Sequence, residues 1–315
     1  MSYVLEVKDL YKTLGKREII KGISFSIKEG EIFGFLGPNG AGKTTTIKML
    51  VGLISPNRGS IKVMGNNIQT NKVEALKNVG AVVETPELYT YLTGRQNLQQ
   101  LARIQKSITE KDIENIVEIV GLKDRIDDKV KKYSLGMKQR LGLAEALIGK
   151  PKFIILDEPT NGLDPTGIIE FRNIIKKAAK ETKTAVFISS HILSEIQKLC
   201  DTVAFINNGE IQSIETINGN YNENTDNTDS NVTEKFEHVV ISTKEKENCI
   251  KILNSINYIK NVTENENEIN IEITEGSVPK LIFNLAKENI PVEEIYKKYL
   301  KLEDRYIELV QGGNK

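Results

Sequence analysis

Cysteine and histidine are scarce in this sequence, with two of each in 315 residues, and tryptophan is missing altogether. Cys200 and Cys249 show no metal-ligand spacing, and with only His191 and His238 to join them a zinc site has too few ligands. The two thiols read as packing residues of a reduced compartment. No apolar run approaches the roughly 18 residues that a membrane span needs. The opening MSYVLEVKDL alternates like a strand and lacks the charged-then-apolar layout of a signal peptide. These absences predict a soluble, cytoplasmic chain. An excess of charge is missing as well: Lys+Arg and Asp+Glu both number 43, so nothing global points to nucleic acid. The balance conceals an asymmetry. Residues 215–315 carry 12 basic and 19 acidic side chains against 31 and 24 in residues 1–214. The basic first part suits an anionic nucleotide, and a solvated surface accounts for it equally well.

What is present centres on GFLGPNGAGKTTTIKML, Gly34 to Leu50. Gly37, Gly40, Gly42, Lys43 and Thr44 satisfy the phosphate-loop pattern G-x-x-x-x-G-K-[ST]. Glycines let a polyphosphate approach the backbone, whose N–H groups form an anion nest. Lys43 brings a positive charge to the outer phosphates, the Thr44 hydroxyl can ligate Mg, and a helix starting at Lys43 aims its free N–H groups at the same anion. The strand-like EIFGFLG before the loop and the helical TTTIKMLVGL after it supply the context this motif requires. The chain is expected to bind a nucleoside triphosphate at Gly37, Pro38, Asn39, Gly40, Ala41, Gly42, Lys43, Thr44 and Thr45.

Residues 3–35 read as β-rich, with ISFSIKEGEIFGFLG forming two strands around Glu29-Gly30. GAVVE is a short buried strand ending in Glu84. From about 88 to 150 the periodicity turns helical, with Leu98, Leu101 and Ile104 on one face and Ile113, Ile116, Val117 and Val120 on another. Strands and helices then alternate to about residue 214, which predicts a mainly parallel sheet with ligands at its carboxyl edge. The Asn-, Thr- and Asp-rich stretch 218–235 reads as a disordered linker. Residues 236–315 read roughly as β-α-β-β-α and a closing segment, a small α+β domain of ferredoxin-like type. In that segment Ile295, Tyr299, Leu302 and Tyr306 stand at helical spacing. Such a stripe either supports a dimer or packs on the domain's own sheet.

In FIILDEP, four apolar residues precede Asp157 and Glu158. A strand that brings a carboxylate beside a phosphate-loop Mg is the second half of a P-loop NTPase. Asp157 would hold the metal or its water, and Glu158, one residue on, would polarise the attacking water. His191 follows the next core strand, TAVFISS, where it could reach a γ-phosphate.

YSLGMKQR (Tyr133 to Arg140), followed by LGLAEALIGKPKFIILDEPTNGLDPTG, resembles the signature, helix, Walker B and D-loop run of ATP-binding cassette (ABC) proteins. The likeness spans about residues 3–214. It implies an α/β P-loop NTPase cassette at 1–217, with a β-rich N-terminal subdomain and a helical insertion at about 88–150. It also implies ATP and Mg as ligands, with Mg served by Thr44, Asp157 and Glu84. Glu158 would be the general base and His191 the switch histidine. Ser134, Leu135, Gly136 and Met137 would form the signature facing ATP held by the opposite subunit, and Asn161, Gly162, Leu163 and Asp164 the D-loop. A homodimer, or a pair with a second cassette, is implied, with ATP at the interface.

Four positions, in three places, depart from the family pattern. Leu135 and Met137 replace the first Gly and the Gln of LSGGQ. Glu84 stands where the coupling-loop Gln is usual. Leu14 replaces the aromatic residue that stacks on adenine, a contact typically worth about 1–3 kcal/mol, so adenine discrimination is expected either to be weaker or to be supplied by Tyr11. SLGMKQR with VVETPELY resembles the drug and bacteriocin exporter branch, including bacitracin-resistance and lantibiotic-immunity cassettes. That branch implies transport ATPase activity that energises a separate transmembrane permease, at the cytoplasmic face of the membrane. A soluble cassette of translation or DNA repair is the alternative. The single phosphate loop, the 91 positions from Lys43 to Ser134 and the lack of a basic stripe weigh against it.

Overall fold

The alternating runs at the start of the chain pair as antiparallel strands β1 (Tyr3–Leu14) and β2 (Arg17–Lys28). In this computed structural model residues 3–105, 107–217, 236–264 and 268–297 are described. After the Glu29-Gly30 turn, β3 (Ile32–Leu36) leaves that sheet, because all five of its residues are apolar or Gly and all are buried. Helix α1 (Lys43–Leu50) follows, and β4 (Arg58–Val63) and β5 (Asn66–Asn67) return to the first sheet, whose order is β2-β1-β4-β5. Helix α2 (Lys72–Leu76) and strand β6 (Val79–Val82) lead into the helical insertion.

The insertion holds α3 (Gly94–Ile104), α4 (Glu110–Ile119) and α5 (Leu135–Leu147). Capping boxes start the first two: Thr93 with Gln96, and Thr109 with Asp112, each satisfying two N–H groups that a helix start leaves open. The α/β alternation then resumes with β7 (Phe153–Asp157), α6 (Pro165–Thr182), β8 (Ala185–Ser190), α7 (Leu193–Leu199), β9 (Thr202–Asn207) and β10 (Glu210–Thr216). The second sheet runs β10-β9-β3-β8-β7-β6, parallel except for the edge strand β10.

The two sheets share one core. Alternation on β2 buries Ile23, Phe25 and Ile27, and Phe25 packs on Phe33 with ring centroids 5.4 Å apart. Phe35 and Phe187 complete the cluster at 5.3 Å. Burying each such ring is worth roughly 1.5–3 kcal/mol, which anchors β3 in this core.

The contacts divide the chain into two compact units, Met1–Tyr221 and Asn222–Lys315. The second contains β11 (Phe236–Ser242), α8 (Lys246–Asn254), β12 (Ile259–Glu264), β13 (Ile269–Thr274), α9 (Val278–Lys287) and β14 (Glu294–Lys297). Its strands are antiparallel in the order β12-β13-β11-β14, the split βαβ arrangement of ferredoxin-like domains. Cys249, Leu253, Leu281 and Leu285 from the helices bury against Val239, Ile241, Ile271 and Ile273. One expectation is corrected here. Ile295 does not begin a helix: it lies on β14, opposite Ile241, and packs on this domain's own core. A four-residue edge strand satisfies the backbone of β11, which outweighs the helical spacing of the apolar residues. Tyr299, Leu302 and Tyr306, and the expected linker at 218–235, lie outside the described residues.

Candidate active site

Strand β3, flanked by β8 and β9, delivers the phosphate loop to the carboxyl edge of the parallel sheet. The Gly37 N–H donates to the Ser190 carbonyl at 3.3 Å. A Cβ on Gly37 would collide with the Ile206 carbonyl of β9, so packing on that strand, besides any phosphate, demands glycine here. Gly42 sits at φ +109° as the N-cap of α1, a conformation that side chains disfavour. No side chain caps α1, which leaves its first-turn N–H groups available to an anion. Pro38 is half-buried, Asn39 and Gly40 are exposed on the loop, Ala41 is buried, and Thr44 and Thr45 are half-buried. Lys43 is only 5% exposed. Its Nζ donates to the carbonyls of Gly37 (2.8 Å) and Pro38 (3.2 Å) and pairs with Glu158 Oε1 at 3.1 Å.

The acidic pair stands at the end of β7, buried along its whole length. Asp157 lies beside Ser189 in the parallel register. The Ser189 hydroxyl donates to Asp157 Oδ1 at 2.6 Å and accepts the Glu158 N–H at 2.9 Å. Glu158 has φ +44°, a left-handed conformation that costs a non-glycine residue roughly 1–2 kcal/mol. That turn directs its carboxylate between Lys43 and His191, whose Nδ1 is 2.8 Å from Oε2. A carboxylate only accepts, so Nδ1 donates. The Thr160 hydroxyl meets Glu195 of α7 in a short hydrogen bond. Among the described residues no cluster of three or more His, Cys, Asp or Glu could hold a metal alone. The oxygen donors of Asp157 and Thr44 fit Mg, which typically takes one or two carboxylates and completes its shell with substrate phosphates and water.

Ser134 is the N-cap of α5, accepting the Met137 N–H at 3.3 Å. Asn161 N–H donates to the Glu158 carbonyl at 3.1 Å, and Asp164 caps α6 by accepting the Gly167 N–H at 2.6 Å. Ser134, Leu135 and Gly136 line a surface cavity of about 400 Å³ together with Gly162, Leu163 and Asp164. The expected signature and D-loop are thus neighbours within one chain. Glu84 follows β6, which runs beside β7 with Val82 opposite Leu156, so it leaves the same sheet edge as Asp157. At φ +63° its carboxylate turns to Lys48 of α1, 2.8 Å away.

Residues 20–161 match the ABC transporter family. Over 309 residues the chain is 44% identical to YhcH of Bacillus subtilis, an ABC transporter ATP-binding protein, covering 98% of this chain and 96% of that one. The chain belongs to the ABC transporter ATP-binding family. This cassette is also 35% identical over 313 residues to BcrA of Enterococcus faecalis, a bacitracin transport ATP-binding protein, covering 99% and 98% of the two chains. A solved ATP-binding subunit of an ABC transporter shares the fold at TM-score 0.61 and 30% identity, over 68% of this chain and 90% of that one. As a member of the family, the cassette is an ATPase that works with a membrane partner. Among its described residues no helix is long and apolar enough to cross a membrane.

Around the cassette's site, Leu14 is exposed, and one face of the Tyr11 ring is covered by the Arg58 guanidinium, 4.6 Å from the centroid. Three residues outside the sequence-based set belong to the neighbourhood, Ser189, Glu195 and Lys48, while a fourth, Glu145, lines a cavity that shares none of the site residues. Ser189 and Glu195 flank His191 and had only that proximity as a signal. Glu145 had none. It lines a cavity of about 510 Å³ with Val82, Pro86, Leu101 and Ile104, and burial pushes its carboxyl up to about 7.

Proposed function

We propose that this cassette drives export of, or resistance to, an antimicrobial peptide or drug through a separate transmembrane permease, as a homodimer with ATP at the interface. The carrying observation is the Glu158 carboxylate, held between Lys43 and His191 and one residue beyond the anchored Asp157. The likeness to the bacitracin transport protein supports the substrate class, because it extends along nearly the whole chain. The transporter names of relatives matched over their full length disfavour a translation or repair role.

In this reading the backbone from Gly37 to Thr45 and the Lys43 ammonium bind the phosphates. Thr44 and Asp157 would hold Mg, with Glu84 on the coupling loop, and the ion supplies positive charge against the phosphate oxygens. Lys43 exchanges its Glu158 and carbonyl partners for phosphate. Glu158 is then free to accept the proton of the attacking water, oriented by the His191 Nδ1–H donor. Ser134 to Met137 present the N-terminus of α5 to ATP on the opposite subunit, with Leu135 and Met137 changing its surface but not its cap. The hydrogen bond from Asn161 to the Glu158 carbonyl ties the D-loop at the dimer contact to the hydrolytic residue. Residues 1–217 carry this chemistry, 236–315 form a separate module, and the permease places both at the cytoplasmic face.

Light scattering of Glu158→Gln tests the homodimer. ATP with Mg is expected to convert the variant from monomer to dimer, because binding persists while hydrolysis stops. A monomer that binds ATP at saturation would refute self-association. Co-expression with the permease is expected to raise resistance to a peptide antibiotic, and no gain across a panel would remove the substrate assignment.

A further inference from the structure

We propose that Ser189 is a positioning residue of the hydrolytic centre, its single hydroxyl fixing Asp157 and Glu158 relative to one another. The inference rests on the roles proposed above for those two carboxylates. Ser189 is 0% exposed, so no water competes for its hydroxyl. The hydroxyl has one proton, and that proton goes to Asp157 Oδ1 at 2.6 Å. Its lone pairs then face the Glu158 N–H at 2.9 Å. Each bond therefore orients the other.

The need for this bridge comes from the backbone. Asp157 is the last residue of β7, and the backbone turns to φ +44° at Glu158, where the ladder ends. Ser189, aligned with Asp157 in the register, supplies a hydroxyl acceptor to the Glu158 N–H at that turn from the neighbouring strand. Ser190 is used differently. Its hydroxyl accepts the Ile192 N–H at 2.9 Å and shapes the turn that carries His191. Successive residues of β8 thus divide the work: one holds the two carboxylates, the other holds the loop whose histidine meets Glu158. Loss of the Ser189 oxygen frees Asp157 to rotate and takes from the Glu158 N–H its hydroxyl acceptor, which misplaces the base by way of its own backbone.

Steady-state ATP hydrolysis by the full chain, with Mg titrated at saturating ATP, tests this. Ser189→Ala is expected to lower kcat roughly 10- to 100-fold, as loss of an outer partner to a metal-site carboxylate does. It should also raise the half-saturating Mg concentration and leave ATP binding without metal unchanged. Ser189→Cys keeps the volume but is a weak donor and acceptor, so it should behave like Ala and serves if Ala fails to fold. Ser189→Thr keeps the hydroxyl and is expected to recover most turnover. Wild-type kcat and Mg dependence in both Ala and Cys variants would overturn the proposal. So would equal losses of kcat, metal-free ATP binding and thermal stability, the pattern of a purely structural residue. If instead Asp157→Asn leaves Mg dependence intact in a chain that hydrolyses ATP, the reading of Asp157 has failed and not the Ser189 bridge.

Discussion

Lys43 and Glu158 form a mostly buried ion pair inside the proposed nucleotide site, with side chains 5% and 21% exposed. Breaking such a pair by removing one partner typically costs about 3–5 kcal/mol, because the other charge is stranded. Lys43→Ala is therefore expected both to abolish ATP binding and to lower the melting temperature of the nucleotide-free chain. Glu158→Gln keeps the volume but leaves the Lys43 ammonium with only its two carbonyl partners, so it too should melt below wild type, which differential scanning fluorimetry of the two variants would show. Glu145 makes a pH prediction. Its carboxyl lies at about 7 in the folded chain against an ordinary 4.5. Between those values the folded chain keeps a proton that the unfolded chain has lost, so stability falls as pH rises through the window and levels off above it. Glu145→Gln is expected to flatten that slope and to add on the order of 1–3 kcal/mol at about pH 8. Urea denaturation at about pH 5 and pH 8 measures both quantities.

Among the elements, the starts of α5 and α6 do two jobs. Ser134 and Asp164 cap these helices and, in the proposed function, also face the other subunit. Ser134→Asp separates the jobs. Aspartate caps as well as serine, so the melting temperature should hold. Its charge would meet the phosphate of the opposite ATP, so ATP-driven dimerisation should disappear in light scattering. The ion pair of Glu84 with Lys48 connects the proposed coupling loop to α1, the helix that begins in the phosphate loop. Both side chains are substantially exposed, so Lys48→Ala should change stability by less than about 1 kcal/mol. A fall in transport-coupled ATPase in that variant, with basal turnover kept, is the outcome expected of a coupling contact. Reconstitution with the permease provides the measurement.

On the scale of the whole molecule, each unit carries its own buried cluster: the two-sheet core of the cassette and the helix-on-sheet core of the second unit. Residues 1–217 alone are expected to fold and bind ATP, and calorimetry of the full chain should resolve two transitions. Much of this architecture was legible in the sequence. The phosphate loop, the apolar strand ending at Asp157 and the periodic helices of the insertion are local patterns, in which neighbouring residues impose geometry on one another. Ile295 shows the limit of that legibility, since apolar helical spacing over a short segment gave way to an edge-strand pairing with β11. The sequence by itself determined the fold class, the nucleotide loop, the acidic pair and the family. Only the tertiary structure decided that Ser189 bridges Asp157 and Glu158, that Glu84 turns to Lys48, and that Glu145 is desolvated. Those contacts join residues far apart in the chain, and no periodicity or spacing encodes a distance that exists only once the strands are laid side by side.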